Sequence, residues 1–426
     1  VATNPTDAFN VLVKGTGAGT GFATQVASQI NVASPTTLTS NAVASTLTTA
    51  AVTTLQTAAP SATIDQAQLN STLAAVNSAP SAIVYADTAA ALLLKTDLAS
   101  AAVVTVTDAT LSAQTLLSLD SAVTSGSLIV KAVTLTGNSV DVTRLVTGAG
   151  ALLSGTQALT LSDAGSMSAS TLSTLDNKTT GLVSATSVTS LTGNAATLLS
   201  VLTSTGVNLS GSEAVTVSDA TLDVALLNSI DSRTTGAVTA SSATVLTGGA
   251  AALVAAMTSA GVNLSGSEAV TVSDATLDVA LLNTIDSRTT GAVTATAATV
   301  LTGGASALVT AMTSAGVSLS SGVAVTVSDV TLDASLLNTI DGRTTGVVTA
   351  TAATVLSGTS SVLGTALNSA GVSLSGNEAL SVTDTGTLST ADLVAPDART
   401  SGVVTAASIG TLSGTAAAVQ QILTSS

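Results

Sequence analysis

A tandem repeat of about 55 residues is the feature that most constrains how this chain folds. The segment 214–236 returns almost unchanged at 269–291, and again in a more diverged form at 324–346. An aspartate marks every copy at the same place, and the interval between neighbouring copies is nearly constant: Asp108, Asp163, Asp219, Asp274, Asp329 and Asp384. Six copies therefore occupy residues 101–426, a degenerate copy occupies 61–100, and residues 1–60 form a separate segment.

Each copy contains two halves, and each half pairs a strand with a helix. The stretch 215–218 alternates valine with hydroxyl residues, which is typical of a half-buried strand. We expect a helix over 221–230 after it, capped by Asp219 or Thr221. The second half has a short strand over 237–240, a turn at 247–249 and a helix over 250–259.

Strands that alternate with helices at a fixed period favour right-handed crossovers and parallel pairing. The predicted fold is an α/β right-handed solenoid of β-α-β-α repeats with parallel strands. Residues 1–60 are expected to form a mostly helical cap or assembly segment, with helices over 22–32 and 38–56. The sequence leaves open whether the two strands of a copy join one sheet or stack in two separate ladders.

Residue types that the chain lacks narrow its function. It has no His, Cys or Trp, so imidazole and thiolate chemistry and disulfides are excluded. Its net charge of −15 disfavours nucleic acid, and its apolar runs are too short for a membrane span. Because its acidic residues repeat in the same pattern from copy to copy, whereas an active site is normally single and irregular, an enzyme is not expected.

An Asp-x-Arg pair recurs at the end of the first helix of the copy. The pairs are Asp231 with Arg233, Asp286 with Arg288, and Asp341 with Arg343. Stacked at the spacing of one copy, these residues would form a ladder of alternating charge that suits recognition of a polar or anionic polymer. A structural role is favoured, in which the cation meets the last carbonyls of the helix and the neighbouring aspartates.

Another carboxylate follows the first strand of each copy, and four of these are candidate calcium ligands: Asp219, Asp274, Asp329 and Asp384. Carboxylates that converge between solenoid turns suit Ca²⁺, which binds hard oxygen ligands. The glycine-rich calcium-binding nonapeptide is absent, and helix N-capping explains Asp219 without a metal. Calcium is therefore a secondary expectation, and no other cofactor is expected.

Hydroxyl residues also recur at fixed places in the strands, beginning with Thr216 and Ser218. Flat ranks of threonine are typical of ice-binding solenoids. The general preference of threonine for strands explains the same pattern without a ligand.

Two phrases of the repeat carry a resemblance to known proteins: Val-Thr-Val-Ser-Asp-Ala-Thr-Leu at 215–222 and Ala-Val-Thr-Ala-Thr-Ala-Ala-Thr-Val-Leu-Thr-Gly at 292–303. With the acidic composition rich in Thr, Ala, Ser and Val, they resemble the repeats of large bacterial extracellular surface proteins, namely S-layer proteins and repeat-rich adhesins often exported by type I secretion. The resemblance implies an extracellular structural or adhesive role. The calcium nonapeptide usual in the type I exported group is missing here.

The sequence therefore predicts a structural protein of the bacterial cell exterior that self-assembles into a filament, sheath or surface layer. The last helix ends close to Leu423, so we expect further chain or another molecule to cover the final turn of the solenoid. The alternative is a monomeric adhesin stalk or a solenoid that binds polysaccharide or ice. Another copy of the chain is the first expected partner, and cell-surface polysaccharide is the second.

Overall fold

The structure is a computed structural model that describes residues 83–148 and 151–424. These residues belong to two units. Unit 1 has residues 83–107 and 118–130, and unit 2 has residues 108–117, 131–148 and 151–424. The helices predicted over 22–32 and 38–56, the segment 1–60 and the larger part of the degenerate copy lie outside the described residues.

Short helices alternate with shorter strands along the described chain. A 3-10 helix spans Leu98–Ser100. The α-helices are α1 Ala89–Leu92, α2 Ala113–Ala122, α3 Ser139–Thr147, α4 Ala169–Lys178, α5 Ala195–Thr203, α6 Val224–Asp231, α7 Ala250–Thr258, α8 Val279–Arg288, α9 Ala305–Thr313, α10 Ala334–Asp341, α11 Ser360–Asn368, α12 Thr390–Asp397 and α13 Ala416–Thr424. No helix of the described residues combines the length and the apolar character needed to cross a bilayer.

The strands are two to six residues long. They are β1 Val84–Asp87, β2 Val103–Val106, β3 Thr110–Ser112, β4 Ser127–Val130, β5 Thr134–Gly137, β6 Ala151–Leu152, β7 Ala158–Leu161, β8 Gly165–Ser168, β9 Val183–Ser184, β10 Val188–Gly193, β11 Val207–Asn208, β12 Ala214–Val217, β13 Thr221–Asp223, β14 Val238–Thr239, β15 Val245–Gly248, β16 Val262–Asn263, β17 Ala269–Val272, β18 Thr276–Asp278, β19 Val293–Thr294, β20 Val300–Gly303, β21 Val317–Ser318, β22 Ala324–Val327, β23 Thr331–Asp333, β24 Val348–Thr349, β25 Val355–Gly358, β26 Val372–Ser373, β27 Ala379–Val382, β28 Gly386–Ser389, β29 Val404–Thr405 and β30 Ile409–Ser413.

Unit 1 contains the parallel strands β1, β2 and β4, paired in that order. Val104 and Leu128 occupy the same rung and are buried. The hydroxyl of Tyr85, the single tyrosine of the chain, donates to Oδ1 of Asp97 at 2.6 Å. This hydrogen bond, followed by desolvation and the negative charge of Asp97, raises the pKa of Tyr85 above its usual value.

Unit 2 is an α/β solenoid of parallel strands. Its sheets are β3-β5-β7-β9-β11, β8-β10-β12-β14-β16, β13-β15-β17-β19-β21, β18-β20-β22-β24-β26, β23-β25-β27-β29 and β28-β30. The chain visits neighbouring sheets alternately, and β12 and β14, the two strands predicted for one copy, pair directly. The question left open by the sequence is thus answered: both strands join one sheet.

The number of residues between paired positions on neighbouring strands of a sheet differs from the sequence period of the copies. Leu222, Leu246 and Val270 are successive partners in one sheet and lie 24 residues apart, whereas the next partner, Val293, follows Val270 by 23 residues. We call this 24-residue step a coil. One copy is seven residues longer than two coils. The start of β12 at Ala214 and the start of β13 at Thr221 are also seven residues apart, so a shift of seven residues moves the chain from one sheet to the next. Each copy therefore begins a new sheet.

Small aliphatic side chains fill the interior of unit 2. In the sheet that begins with β13, Leu222, Leu246, Val270 and Val293 face inward and are at most 1% exposed. The helices bury one face in the same way, as α6 does with Leu227 and Ile230. The space between the opposite sides of each coil is narrow, so leucine and valine side chains fill it. A chain with 1% aromatic residues can therefore form a packed core.

The structure differs from the predicted elements at the helix starts. Residues 221–223 form β13 and not the first turn of a helix, because Leu222 pairs with Leu246 in the core. Residues 245–248, where a turn was predicted to begin, form β15 for the same reason. Helix α6 starts at Val224, whereas the helix predicted over 250–259 matches α7. Pairing between coils, which a single copy does not reveal, overrides the local turn and helix signals.

Candidate functional site

An aspartate in five of the six copies, including the four candidate calcium ligands, binds the start of a helix in the preceding coil. We call Asp163, Asp219, Asp274, Asp329 and Asp384 the cross-coil aspartates. Oδ2 of Asp274 accepts the backbone N–H of Ala250, the first residue of α7, at 2.6 Å, and Asp219 accepts that of Ala195 at 2.7 Å. The same bond joins Asp163 to Ser139, Asp329 to Ala305 and Asp384 to Ser360.

The helix that receives this bond differs from the predicted one. Asp219 was expected to cap the helix that follows it, but that helix, α6, is capped by Asp223, whose Oδ1 accepts the N–H of Ala225 at 2.8 Å. A carboxylate at a helix start satisfies a free N–H and stabilises the positive end of the helix dipole. Within residues 83–148 and 151–424, no group of three or more acidic residues converges as a metal site. Calcium binding at the cross-coil aspartates stays a prediction.

Three glutamates precede the first strand of their copies and are completely buried: Glu213, Glu268 and Glu378. We call them the buried glutamates. Oε1 of Glu268 accepts from the backbone N–H and hydroxyl of Ser265, at 2.5 and 2.7 Å, and from the N–H of Gly266 at 3.3 Å. Oε2 of Glu268 is buried without a partner. The Ser-Gly-x-Glu spacing is the sequence signal for this turn, and it was not recognised as such.

Other copies close the same turn with uncharged side chains. Gln157 occupies the position in the second copy and donates to Oγ of Ser154 at 2.7 Å, and the 1% exposed Val323 occupies it in the fifth. A position that accepts Glu, Gln and Val in one chain serves the packing of the turn. The buried glutamates therefore do not form a shared acidic site.

The aspartates of the Asp-x-Arg pairs also bind across coils. Oδ2 of Asp231 accepts the hydroxyl of Ser259 at 2.8 Å, and that serine, 28 residues later, in turn accepts the N–H of Gly261 at 3.1 Å. A Cβ atom on Gly261 would lie 2.4 Å from Oδ1 of Asp231, so a larger residue there would displace this carboxylate. The same serine bond recurs for Asp286 with Ser314 and for Asp341 with Ser369.

The basic partners of these aspartates point elsewhere. Arg233, Arg288 and Arg343 are exposed, and in the described part of unit 2 no ion pair joins them to Asp231, Asp286 or Asp341. The structure thus separates the two members of each predicted pair: the aspartate is half-buried in a contact between coils, and the arginine lies free on the surface. We call Arg233, Arg288 and Arg343 the arginine row, and Lys178 and Arg399 occupy the equivalent positions of the copies before and after it.

Hydroxyl residues form a column on the outer face of the sheet β8-β10-β12-β14-β16 of unit 2. Thr192, Thr216 and Thr239 occupy adjacent rungs, with Ser168 before them and Asn263 after them. Parallel strands are about 4.8 Å apart, so the column has that spacing. Thr216 is exposed, whereas its neighbours Val215 and Val217 are buried. The alternation predicted from the sequence is present.

A shallow, open depression lies between α3 and α4 and is lined mainly by hydroxyl residues together with Arg144. Oγ1 of Thr143, one of the lining residues, is buried without a hydrogen-bond partner. These side chains offer no nucleophile paired with a base. Comparisons with protein families, with characterised proteins and with solved structures give no match for the chain.

Proposed function

We propose that this protein is an extracellular structural component of the bacterial cell surface that self-associates into a filament, sheath or surface layer. The observation that supports this function most is the regularity of the surface of unit 2. From one copy to the next, equivalent side chains are exposed at a constant sequence interval, and the half-buried aspartates with hydrogen-bond partners bind between coils. A surface of this kind suits a partner with the same interval, and another copy of the chain is such a partner.

The extracellular setting is supported by composition. A chain without cysteine has no thiol that could form unwanted disulfides outside the cell, and the Thr-, Ser- and Ala-rich composition with few charges resembles bacterial surface repeats.

Electron microscopy of the purified protein at increasing concentration tests the proposal. We expect ordered filaments or sheets, in the presence or absence of added Ca²⁺. Monodisperse particles under every condition would contradict it. If order appears only with Ca²⁺, the variant Asp274→Asn shows whether the cross-coil aspartates supply the site.

The hydroxyl column favours a second candidate function, a module that binds a flat polar surface such as ice or a polysaccharide. The observation behind it is the unbroken register of Thr192, Thr216 and Thr239. Inhibition of ice recrystallisation that is lost in Thr216→Val would support the ice-binding form. Glycan-array binding that is lost when the arginine row is changed to alanine would support the polysaccharide form.

A further inference from the structure

One contact between neighbouring helices of unit 2, that of α3 with α4, departs from the repeat. At the fifth residue of the helix, α3 carries Thr143, whereas α5, α7 and α9 carry leucine or valine. At the third residue of the helix, α4 carries Thr171, whereas α6, α8 and α10 carry leucine. The contact of α3 with α4 therefore has hydroxyl residues at two positions that are apolar in the three equivalent contacts that follow it along the chain.

The open depression described above lies at this contact. Thr143 and Thr171 both line it, together with Ser139, Val140 and Arg144. Threonine is smaller than leucine, so these two positions leave space between the helices. The depression has a volume of about 420 Å³, and sites for small ligands usually measure roughly 300–1,000 Å³. It has room for a small ligand and, because it is open, for one unit of a longer polymer.

Three polar groups of the depression have no protein partner. Oγ1 of Thr143 is buried without a hydrogen bond. Within residues 83–148 and 151–424, neither Oγ1 of Thr171 nor the guanidinium of Arg144 makes one. On the rim, by contrast, Oγ1 of Thr174 donates to the carbonyl of Ser170 at 2.8 Å. A buried hydroxyl without a partner costs free energy, and a hydrogen bond to a ligand removes that cost.

Arg144 gives the depression a positive charge on an acidic chain. Of its lining residues that the structure describes, only Arg144 is charged. The equivalent positions of α5, α7, α9 and α11 carry small neutral residues: Ser200, Ala255, Thr310 and Thr365. Asp141 of the same helix lines a different depression. Because a guanidinium binds a carboxylate through two parallel hydrogen bonds, the charge suits a ligand with a carboxylate.

We propose that the depression between α3 and α4 binds one acidic sugar residue, such as a uronic acid unit of a polysaccharide. Its carboxylate pairs with Arg144, and its hydroxyls bind Thr143 and Thr171. The C–H face of its ring packs on Val140, which is 73% exposed. A neutral sugar leaves Arg144 unpaired, and a simple anion leaves the two threonines without partners. The site is independent of the proposed self-association and lies outside the arginine row.

Isothermal titration calorimetry of the full chain with the trimer of galacturonic acid tests the site. We expect the unaltered protein to bind the trimer, and Arg144→Gln to bind it at least about tenfold more weakly, because a charged hydrogen-bonded pair is lost. The methyl ester of the trimer keeps the ring hydroxyls and lacks the charge, so it should bind the unaltered protein just as weakly. Arg233→Gln, which removes an exposed arginine from a regular copy, is the matched control and should bind like the unaltered protein.

A second variant fills the depression. Combining Thr143→Leu with Thr171→Leu gives α3 and α4 the residue types that α5 and α6 have in Leu199 and Leu226. This variant should be at least as stable in urea denaturation and should lose the trimer. Binding that persists in it contradicts the site, and so does a loss of binding in Arg233→Gln. No binding by the unaltered protein at millimolar trimer, or sulfate that competes as strongly as the trimer, also overturns the proposal.

An introduced tryptophan locates the binding, because the chain has none. Thr147→Trp places the indole on the rim of the depression, and Thr258→Trp places it at the equivalent position of α7. The two threonines are matched, since each donates to the carbonyl four residues before it, at 2.6 and 2.7 Å. The trimer should change the fluorescence of the first variant and leave that of the second unchanged. A change in the second, or in neither, contradicts the site.

Electron microscopy separates this inference from the proposed function. Arg144→Gln should assemble as the unaltered protein does. If the trimer fails to bind while ordered assemblies form, the site is refuted and the proposed function stands. If the trimer binds as expected and no assemblies form, the proposed function is refuted and the site stands.

Discussion

The five helices α6 to α10 of unit 2 form two sets that begin in different ways. Helices α6, α8 and α10 begin after an aspartate of their own, as α8 does with Asp278, whose Oδ1 accepts the N–H of Ala280 at 2.8 Å. Helices α7 and α9 begin after Gly249 and Gly304, which offer no side-chain cap. Their first N–H is bound by Asp274 or Asp329, 24 residues later in the chain.

The difference shows that, within one copy, one helix start is specified by nearby residues and the other by residues of the next coil. The first set carries its start signal within three residues, whereas the second set has its start completed only when the next coil has folded on it. Formation of α7 is therefore coupled to the stacking of β17 and the residues that follow it. Such coupling makes neighbouring coils fold cooperatively, as expected of a solenoid.

The largest expected effect on stability comes from a substitution where the backbones of two neighbouring coils approach each other closely. A Cβ on Gly291 would lie 2.3 Å from the backbone oxygen of Glu268, which cannot move aside as a side chain does. We expect Gly291→Ala to lower the free energy of unfolding by about 3 kcal/mol, measured by urea denaturation. The control is Gly266→Ala, where φ is +77° and the Cβ meets nothing within 4 Å, so backbone strain alone should cost about 1 kcal/mol. Equal effects would argue against the contact.

Removing a cross-coil aspartate should destabilise a helix without a second cap more than a helix that has one. Asp274→Ala leaves α7 with only Gly249 at its start, and we expect a loss of about 2 kcal/mol. Asp219→Ala should cost about half as much, because Oδ1 of Asn194 still accepts the N–H of Thr197 at the start of α5. Hydrogen exchange at the first turn of each helix measures the difference. Similar losses in the two variants would show that the local cap contributes nothing.

Changing a local cap tests the first set. Asp278→Ala removes the cap of α8 and should cost about 1 kcal/mol in the free energy of unfolding. Asp278→Ser should cost only a few tenths, because Ser168 fills the equivalent place in α4 and accepts the N–H of Ser170. If serine proves as costly as alanine, the charge of Asp278 and not its hydrogen bond is what stabilises α8.

The smallest expected effect on stability comes from giving α7, a helix of the second set, a local cap like those of the first set. Gly249 has φ of −72°, and a Cβ there would make only ordinary contact with Asp274, so Gly249→Asn should fit as Asn194 does. We expect a gain of a few tenths of a kcal/mol alone, and a larger gain in the background of Asp274→Ala. A double-mutant cycle by urea denaturation measures this. An additive cycle would mean that the local and cross-coil caps act independently.

Particular residues show how much could be predicted. The second helix of the copy was predicted at 250–259 and lies at Ala250–Thr258, because its apolar face and the glycines before it are local signals. The strand at 221–223 was missed, because only its pairing with Leu246 in the next coil makes it a strand. The prediction that Asp219 caps the helix after it was wrong, because Asp219 binds the start of α5 in the coil before it. The turn closed by Glu268 was missed, since the burial of that glutamate depends on stacked coils.

The sequence alone determined the number of copies, the alternation of strand and helix, and a core of leucine, valine and alanine. These properties follow from residue identity and spacing within one copy. The tertiary structure decided the 24-residue coil, the start of a new sheet in each copy, and the partner of each aspartate. The reason is physical: the sequence period records where the same residues return, whereas a hydrogen bond between strands or to a helix end depends on which residues stack, and the period is not a multiple of the coil.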